Sequence, residues 1–169
     1  MYILLGINKN FIKIMEHIYL LTGGKITPIV DNLFLSCCFI NKNSLKQNKI
    51  DCILKMYRNN DDQYKYYDDI TYLEIDALDI PEYRISKDFV RCFKFINDNI
   101  KNKKNVLVHC HAGISRSSTI VIMYLMVKYK ITIEKAYAYV KSKRPIIRPN
   151  NGFCVELQRL DKFLEKNIK

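Results

Sequence analysis

From Ser117 to Tyr129 the chain is apolar on nearly every side of a helix, and a helix without a polar face belongs inside a core. Ahead of it stands the short apolar run Val106-Leu107-Val108, which follows the basic turn Lys101-Asn102-Lys103-Lys104. A short run of this kind, bounded by a turn, reads as a buried central strand. Between the two lies a loop that begins at His109 and contains Gly113. A buried strand that feeds a buried helix points to an α/β domain, and the segments on either side agree with it.

Ile26 to Phe39 is strand-rich, with Pro28 and Asp31-Asn32 marking a turn. Ile50 to Tyr57 and Ile70 to Ile75 are two further strands, and the polar stretch Asn59 to Gln63 is a loop between them. Ser86 is placed to cap a helix whose Phe89, Phe93, Ile96 and Ile100 fall at helical spacing. Thr132 to Lys143 forms another helix, ended before Pro145, and Phe153, Leu157, Leu160 and Leu164 stripe a last one. Residues 1 to 24 read as a helical extension with Phe11, Ile14, Met15 and Ile18 on one side and Gly23-Gly24 at its end. The remainder, 25–169, has the length of one domain with a sizeable core. Neither an internal repeat nor a Pro/Gly/Ser linker divides it.

The loop carries the chemistry. A strand-loop-helix junction aims several backbone N–H groups and the positive end of a helix at one point, and successive N–H groups form a nest for an anion. Gly113 allows a dihedral closed to residues with a side chain. Arg116 adds a planar fork that grips two oxygens of a phosphate. Cys110 sits at the base of that nest, where helix N-termini and nearby cations favour the nucleophilic thiolate. The spacing Cys-x5-Arg alone is weak, since Cys52 and Arg58 share it with only Ile, Leu, Lys, Met and Tyr between them. That second pair has no glycine and suits a strand, and it is rejected as a site.

The other cysteines, Cys37, Cys38, Cys52, Cys92 and Cys154, follow no C-x-x-C pattern, which argues against a zinc site and a disulfide framework. Cys37 and Cys38 are expected on opposite faces of a strand as small core residues. The formal net charge of +11 raises the local concentration of anionic partners, among them phosphoproteins, nucleic acids and acidic membranes. No run approaches the roughly 20 apolar residues that span a bilayer. Tyr2 to Ile7 is too short for a signal-peptide core, so the chain reads as intracellular.

His109 to Ser117 resembles the HC-x5-R-S signature of the protein tyrosine phosphatases, and further stretches resemble their small dual-specificity branch. Ile26-Thr27-Pro28 with Leu33-Phe34-Leu35 is similar to the branch's opening strands, with Ser36 in place of the usual glycine. Arg148-Pro149-Asn150-Asn151-Gly152-Phe153 resembles the P-N-x-G-F stretch before its last helix, with Arg148 where a small residue is usual and Glu156 where glutamine is common. The resemblance implies a central, mostly parallel sheet flanked by helices, with the catalytic domain over 25–169. It implies Cys110 as nucleophile and Arg116 as phosphate clamp. His111, Ala112, Gly113, Ile114 and Ser115 would offer loop N–H donors, and Ser117 a hydroxyl that assists departure of the cysteine. His109 and Asn150 would be supporting residues, His109 as a buried, hydrogen-bonded histidine, while His111 is expected to be exposed on the loop. The family's acid is an aspartate about thirty residues upstream. Aligning Tyr72-Leu73-Glu74-Ile75 as the preceding strand places Asp79 there, with Asp76 as the rival.

The activity so implied is hydrolysis of phosphotyrosine and phosphoserine/threonine in phosphorylated proteins, through a cysteinyl-phosphate intermediate and with neither metal nor organic cofactor. Four alternatives stay open. A pseudophosphatase would bind phosphoproteins without turnover. An RNA 5′-phosphatase would use the same loop, but its HC-x-H-G-x-N-R-T-G pattern is broken by Ala112 and Ser115, so nucleic acid is disfavoured as a partner. A phosphoinositide phosphatase would place lysines in the loop, where His111, Ile114 and Ser115 stand; Arg148 keeps a second phosphate site open. A purely structural domain leaves the loop unexplained. A membrane is not expected as a partner. The helix over 1–24 resembles the extension that poxvirus-type members exchange between protomers, which implies a homodimer and a viral source.

Overall fold

The computed structural model describes residues 24–57 and 66–167. The helix expected over 1–24 and the homodimer expected through it therefore lie outside the described residues, Gly24 excepted, as do Arg58 and the loop Asn59 to Gln63. Five strands form one sheet: β1 (Thr27–Val30), β2 (Leu33–Ser36), β3 (Ile50–Lys55), β4 (Thr71–Glu74) and β5 (Asn105–His109), in the order β1-β2-β5-β3-β4. β1 and β2 form the antiparallel hairpin expected across Asp31-Asn32, where Asn32 takes a left-handed φ of 63°. The other pairs are parallel. The sheet is thus central and mostly parallel, as the resemblance implies.

Period-two alternation divides the sheet into two faces. Leu33, Leu35, Cys52, Leu54, Val106 and Val108 point to a large core shared with the helices. Ile53 and Leu107 point the other way, to a smaller core with Ile26, Leu45 and Ile50. The larger face is covered by α2 (Phe89–Lys101), α3 (Arg116–Tyr129), α4 (Ile133–Lys143) and α5 (Asn151–Asn167). The helix read as buried from its composition is α3, in which every residue from Arg116 to Met126 is buried. Parallel strands need crossovers, and α2 lies in the one that leads from β4 to β5. Strands β2, β5 and β3 therefore all end on the same edge, and β5 delivers His109 and Cys110 between its neighbours.

Two local expectations are corrected, and one element is added. Ser86 does not cap α2: it lies in a 3-10 turn (Ile85–Asp88) and its hydroxyl donates to Glu156 on α5. The capping role is overridden because a buried carboxylate needs a donor more than an exposed helix end does. Cys37 and Cys38 lie beyond the end of β2 rather than within a strand. There Cys37 is buried in a small cluster with Ala112 and Ile114 of the loop. The short helix α1 (Lys42–Gln47) is not foreseen in the sequence, although Asn41 accepts from the Ser44 N–H at 2.8 Å, an ordinary N-cap.

Candidate active site

The loop from His109 to Arg116 is pinned by its outward-facing carbonyls. His111 O accepts from the Cys38 N–H at 3.0 Å, Gly113 O from Arg144 Nε at 2.9 Å and Ile114 O from the Arg148 N–H at 2.9 Å. In a trans peptide the C=O and the following N–H point in opposite directions. The N–H groups of Ala112, Ile114 and Ser115 are thereby turned inward. Gly113 has a φ of 65°, and a Cβ there would lie 2.4 Å from Ser36 O, so both backbone and packing require glycine. Ser36, the departure from the family's glycine, is fully buried and turns its hydroxyl onto Cys37 O at 2.8 Å.

Cys110 follows the last residue of β5 and is buried, with its Sγ 3.1 Å from Ser117 Oγ in the first turn of α3. Arg116, also buried, donates from Nη1 to Met56 O (3.3 Å) and Ala77 O (3.1 Å). Its Nε lies 3.3 Å from Asp79 Oδ2 but is not aligned for a hydrogen bond, so the contact is ionic and the donor itself is unsatisfied.

Of the two candidate aspartates, Asp79 is the one that meets Arg116 and the loop. Asp79 Oδ1 accepts from Ser115 Oγ (2.7 Å) and Asn150 Nδ2 (3.0 Å), while Oδ2 faces Arg116. Asp76 is exposed, and its carbonyl accepts from Tyr83 Oη at 3.2 Å. Asn150 also takes the Phe153 N–H on its own Oδ1 (3.0 Å), which caps the first turn of α5, and its backbone N–H donates to Ser115 Oγ (3.1 Å). Gly152 lets that helix end approach the acid loop, since a Cβ there would meet Pro81 O at 1.9 Å.

His109 is fully buried, edge-on to the Tyr57 ring, and burial pushes its imidazole down to about 3. His111 departs from expectation. It is half-buried, stacked on Tyr57 with ring centroids 3.8 Å apart, and its Nδ1 lies 3.1 Å from Arg116 Nη2. Burial first, then the neighbouring Arg116, holds it down to about 4. The flat face of Tyr57 and the guanidinium compete better for this ring than water does. Arg148 is exposed.

Two side chains that support the loop have no sequence signal that singles them out. Arg144 is buried beneath the loop, also bonded to Thr27 Oγ1 at 3.2 Å. Tyr57 was read only as the end of a strand. The rejected Cys52 lies in β3, where its thiol donates to Asn99 Oδ1 at 3.1 Å.

Fold and loop together define an α/β protein with an oxyanion cradle at the end of its central strand. A family model described as dual specificity phosphatase, catalytic domain, matches residues 33–163, and the chain belongs to that family. Mouse dual specificity protein phosphatase 15 is 38% identical over 138 residues, which cover 80% of this chain and 57% of the relative. Arabidopsis thaliana dual specificity protein phosphatase 1B is 36% identical over 151 residues, 88% of this chain and 89% of the relative. Among solved structures, DUSP15 has a TM-score of 0.75 at 35% identity, covering 86% of this chain and 97% of that one. The human tyrosine phosphatase-like serine/threonine/tyrosine-interacting protein has a TM-score of 0.77 at 30% identity, covering 83% and 97%. The chain spans only 32–62% of the length of five of the curated relatives that it matches.

Proposed function

We propose that this chain is a dual-specificity protein phosphatase that hydrolyses phosphotyrosine and phosphoserine/threonine through a cysteinyl-phosphate intermediate. One observation carries the reading. The buried Cys110 Sγ lies 3.1 Å from Ser117 Oγ at the base of a loop whose His111, Gly113 and Ile114 carbonyls are bonded outward, with the buried Arg116 at its end.

The cycle follows from that arrangement. The Cys110 thiolate attacks phosphorus, the P–O bond breaks, and Asp79 gives its proton to the leaving oxygen, because an unprotonated alkoxide leaves poorly. The loop N–H groups and Arg116 hold the three equatorial oxygens and stabilise their charge in the transition state. Asp79 then takes a proton from a water that attacks the thiophosphate. The S–P bond breaks, phosphate leaves, and the Ser117 hydroxyl donates to the returning thiolate. No step calls on a metal or an organic cofactor. Phosphorylated proteins are the substrates in this reading.

The test is phosphate release from p-nitrophenyl phosphate with chelator and reductant present, wild type beside Cys110→Ser. Turnover by the wild type and none by the variant is expected. Turnover that survives in Cys110→Ser would sink the mechanism. Comparison of phosphotyrosyl with phosphothreonyl peptides tests the dual specificity, and strict rejection of phosphothreonine would refute it.

A further inference from the structure

Arg116 has five N–H donors. Among the described residues three are engaged: Nη1 twice, with Met56 O and Ala77 O, and Nη2 once, with Nδ1 of His111. Arginine cannot accept, so Nδ1 of His111 is the acceptor and the ring proton sits on Nε2. What remains is one N–H of Nη2 and Nε–H, which faces Asp79 Oδ2 at 3.3 Å in an ion pair without the alignment of a hydrogen bond. These two nitrogens lie on one edge of the guanidinium plane, the edge that meets two oxygens of a phosphate.

The two sides of the plane are held differently. Backbone carbonyls grip Nη1, and they come from the segments that follow β3 and β4. The Nη2 corner is held by a side chain alone, and that side chain is itself held. His111 lies flat on the buried Tyr57 ring at 3.8 Å and 28°, and Arg116 Cζ stands 5.9 Å from the same ring. Aromatic faces attract both partners. Tyr57, His111 and Arg116 thus brace one another. Without His111 the guanidinium keeps its Nη1 anchor and the ion pair with Asp79 but loses the hydrogen bond that sets the Nη2 corner, and a bidentate fork works only in one plane.

We propose that His111 is a positioning residue: braced on Tyr57, it fixes the Arg116 plane so that the Nε–Nη2 edge faces an oxyanion held above Cys110. This inference rests on the phosphatase reading of the loop. It assigns a task to a side chain that was expected to point into solvent, and to the aromatic ring that ends the β3 segment.

The experiment pairs calorimetric binding of tungstate, a tetrahedral oxyanion that is not turned over, with p-nitrophenyl phosphate kinetics. His111→Phe keeps the stack and removes the acceptor. His111→Asn restores an acceptor near Nδ1. Loss of one hydrogen bond to a charged group predicts that H111F weakens tungstate binding and raises KM by about tenfold, with a smaller change in kcat, and that H111N recovers most of the loss. An unchanged tungstate Kd in H111F overturns the inference, and so does a loss confined to kcat or one that H111N does not repair. If H111F fails to fold by thermal melting, Tyr57→Leu removes the brace from the other side and should weaken tungstate binding likewise; an unchanged Kd there also overturns it. Wild type that binds tungstate but hydrolyses no ester would defeat the phosphatase reading, while the Kd comparison would still decide the role of His111. Wild type that binds no tungstate overturns both.

Discussion

At the scale of single residues the proposed acid is held by three neighbours. Asp79 is held by Ser115 and Asn150 on one oxygen and faces Arg116 with the other, so its orientation is set before any substrate arrives. Asp79→Asn is expected to lower kcat by about 10²–10⁴-fold on phosphoserine or phosphothreonine peptides, the usual worth of a placed general acid. The loss should be smaller with p-nitrophenyl phosphate, whose leaving group needs less help, and Asp76→Asn should match wild type with both. Steady-state kinetics on the two variants decides between the aspartates. Ser117 makes a separate prediction. Its Oγ lies 3.1 Å from Cys110 Sγ, where it favours the thiolate as a leaving group. Ser117→Ala should slow hydrolysis of the thiophosphate more than its formation, so rapid-quench kinetics should show a burst of p-nitrophenol that wild type lacks. A variant with a slower first step and no burst would assign the hydroxyl to attack instead.

At the scale of elements the site is an agreement among segments that end at one edge of the sheet. β5 supplies His109 and leads into Cys110, α3 supplies Arg116 and Ser117, the segment after β4 supplies Asp79, and the turn before α5 supplies Asn150. Two glycines set how closely these segments meet. At Gly113 a methyl group would strike Ser36 O in a backbone that already has positive φ, and at Gly152 it would strike Pro81 O. Gly152→Ala is therefore expected to push the acid loop away from α5, with a destabilisation of about 1–3 kcal/mol by overpacking. The same displacement should lower kcat toward the level of Asp79→Asn. Urea unfolding and kinetics on one preparation check both halves. Full activity in a stable Gly152→Ala variant would show that the acid loop is positioned without α5.

At the scale of the whole molecule, two neutral histidines, one buried and one half-buried, couple stability to pH. Burial pushes His109 down to about 3, while burial and Arg116 push His111 down to about 4. Lys55 lowers both further; the Cys110 backbone and then Glu74 oppose the shift of His109, and Asp79 opposes that of His111. The unfolded chain protonates its histidines below their ordinary 6.5, whereas the folded chain does not. The unfolded state therefore binds more protons, and stability falls as pH drops below the ordinary value and continues to fall toward 4 and then 3. Each such histidine removes about 2 kcal/mol between about pH 7 and pH 5, less for the half-buried His111. The urea midpoint should drop across that window, and His111→Phe should drop less than wild type. Equal slopes would mean that His111 is protonated in the native state.

Much of the fold could be read from the chain because its signals are local. The all-round apolar character of α3, the short run of β5 and the turn at Asp31-Asn32 each depend on neighbours in sequence, as does the strand-loop-helix nest that they create. What sequence could not supply depends on contacts between distant segments. Ser86 looked like a cap until Glu156, 70 residues away, claimed its hydroxyl. His111 looked exposed until the end of β3 placed Tyr57 beneath it. Arg144 carried no signal, because its burial under the loop follows from the packing of α4 against β1. The sequence determined by itself the nucleophile's surroundings, since a loop that binds an anion with successive N–H groups and the start of a helix is built from adjacent residues. Only the tertiary structure decided which aspartate meets Arg116 and which side chains hold that guanidinium in plane, because those choices depend on where separate strands end along one edge of the sheet.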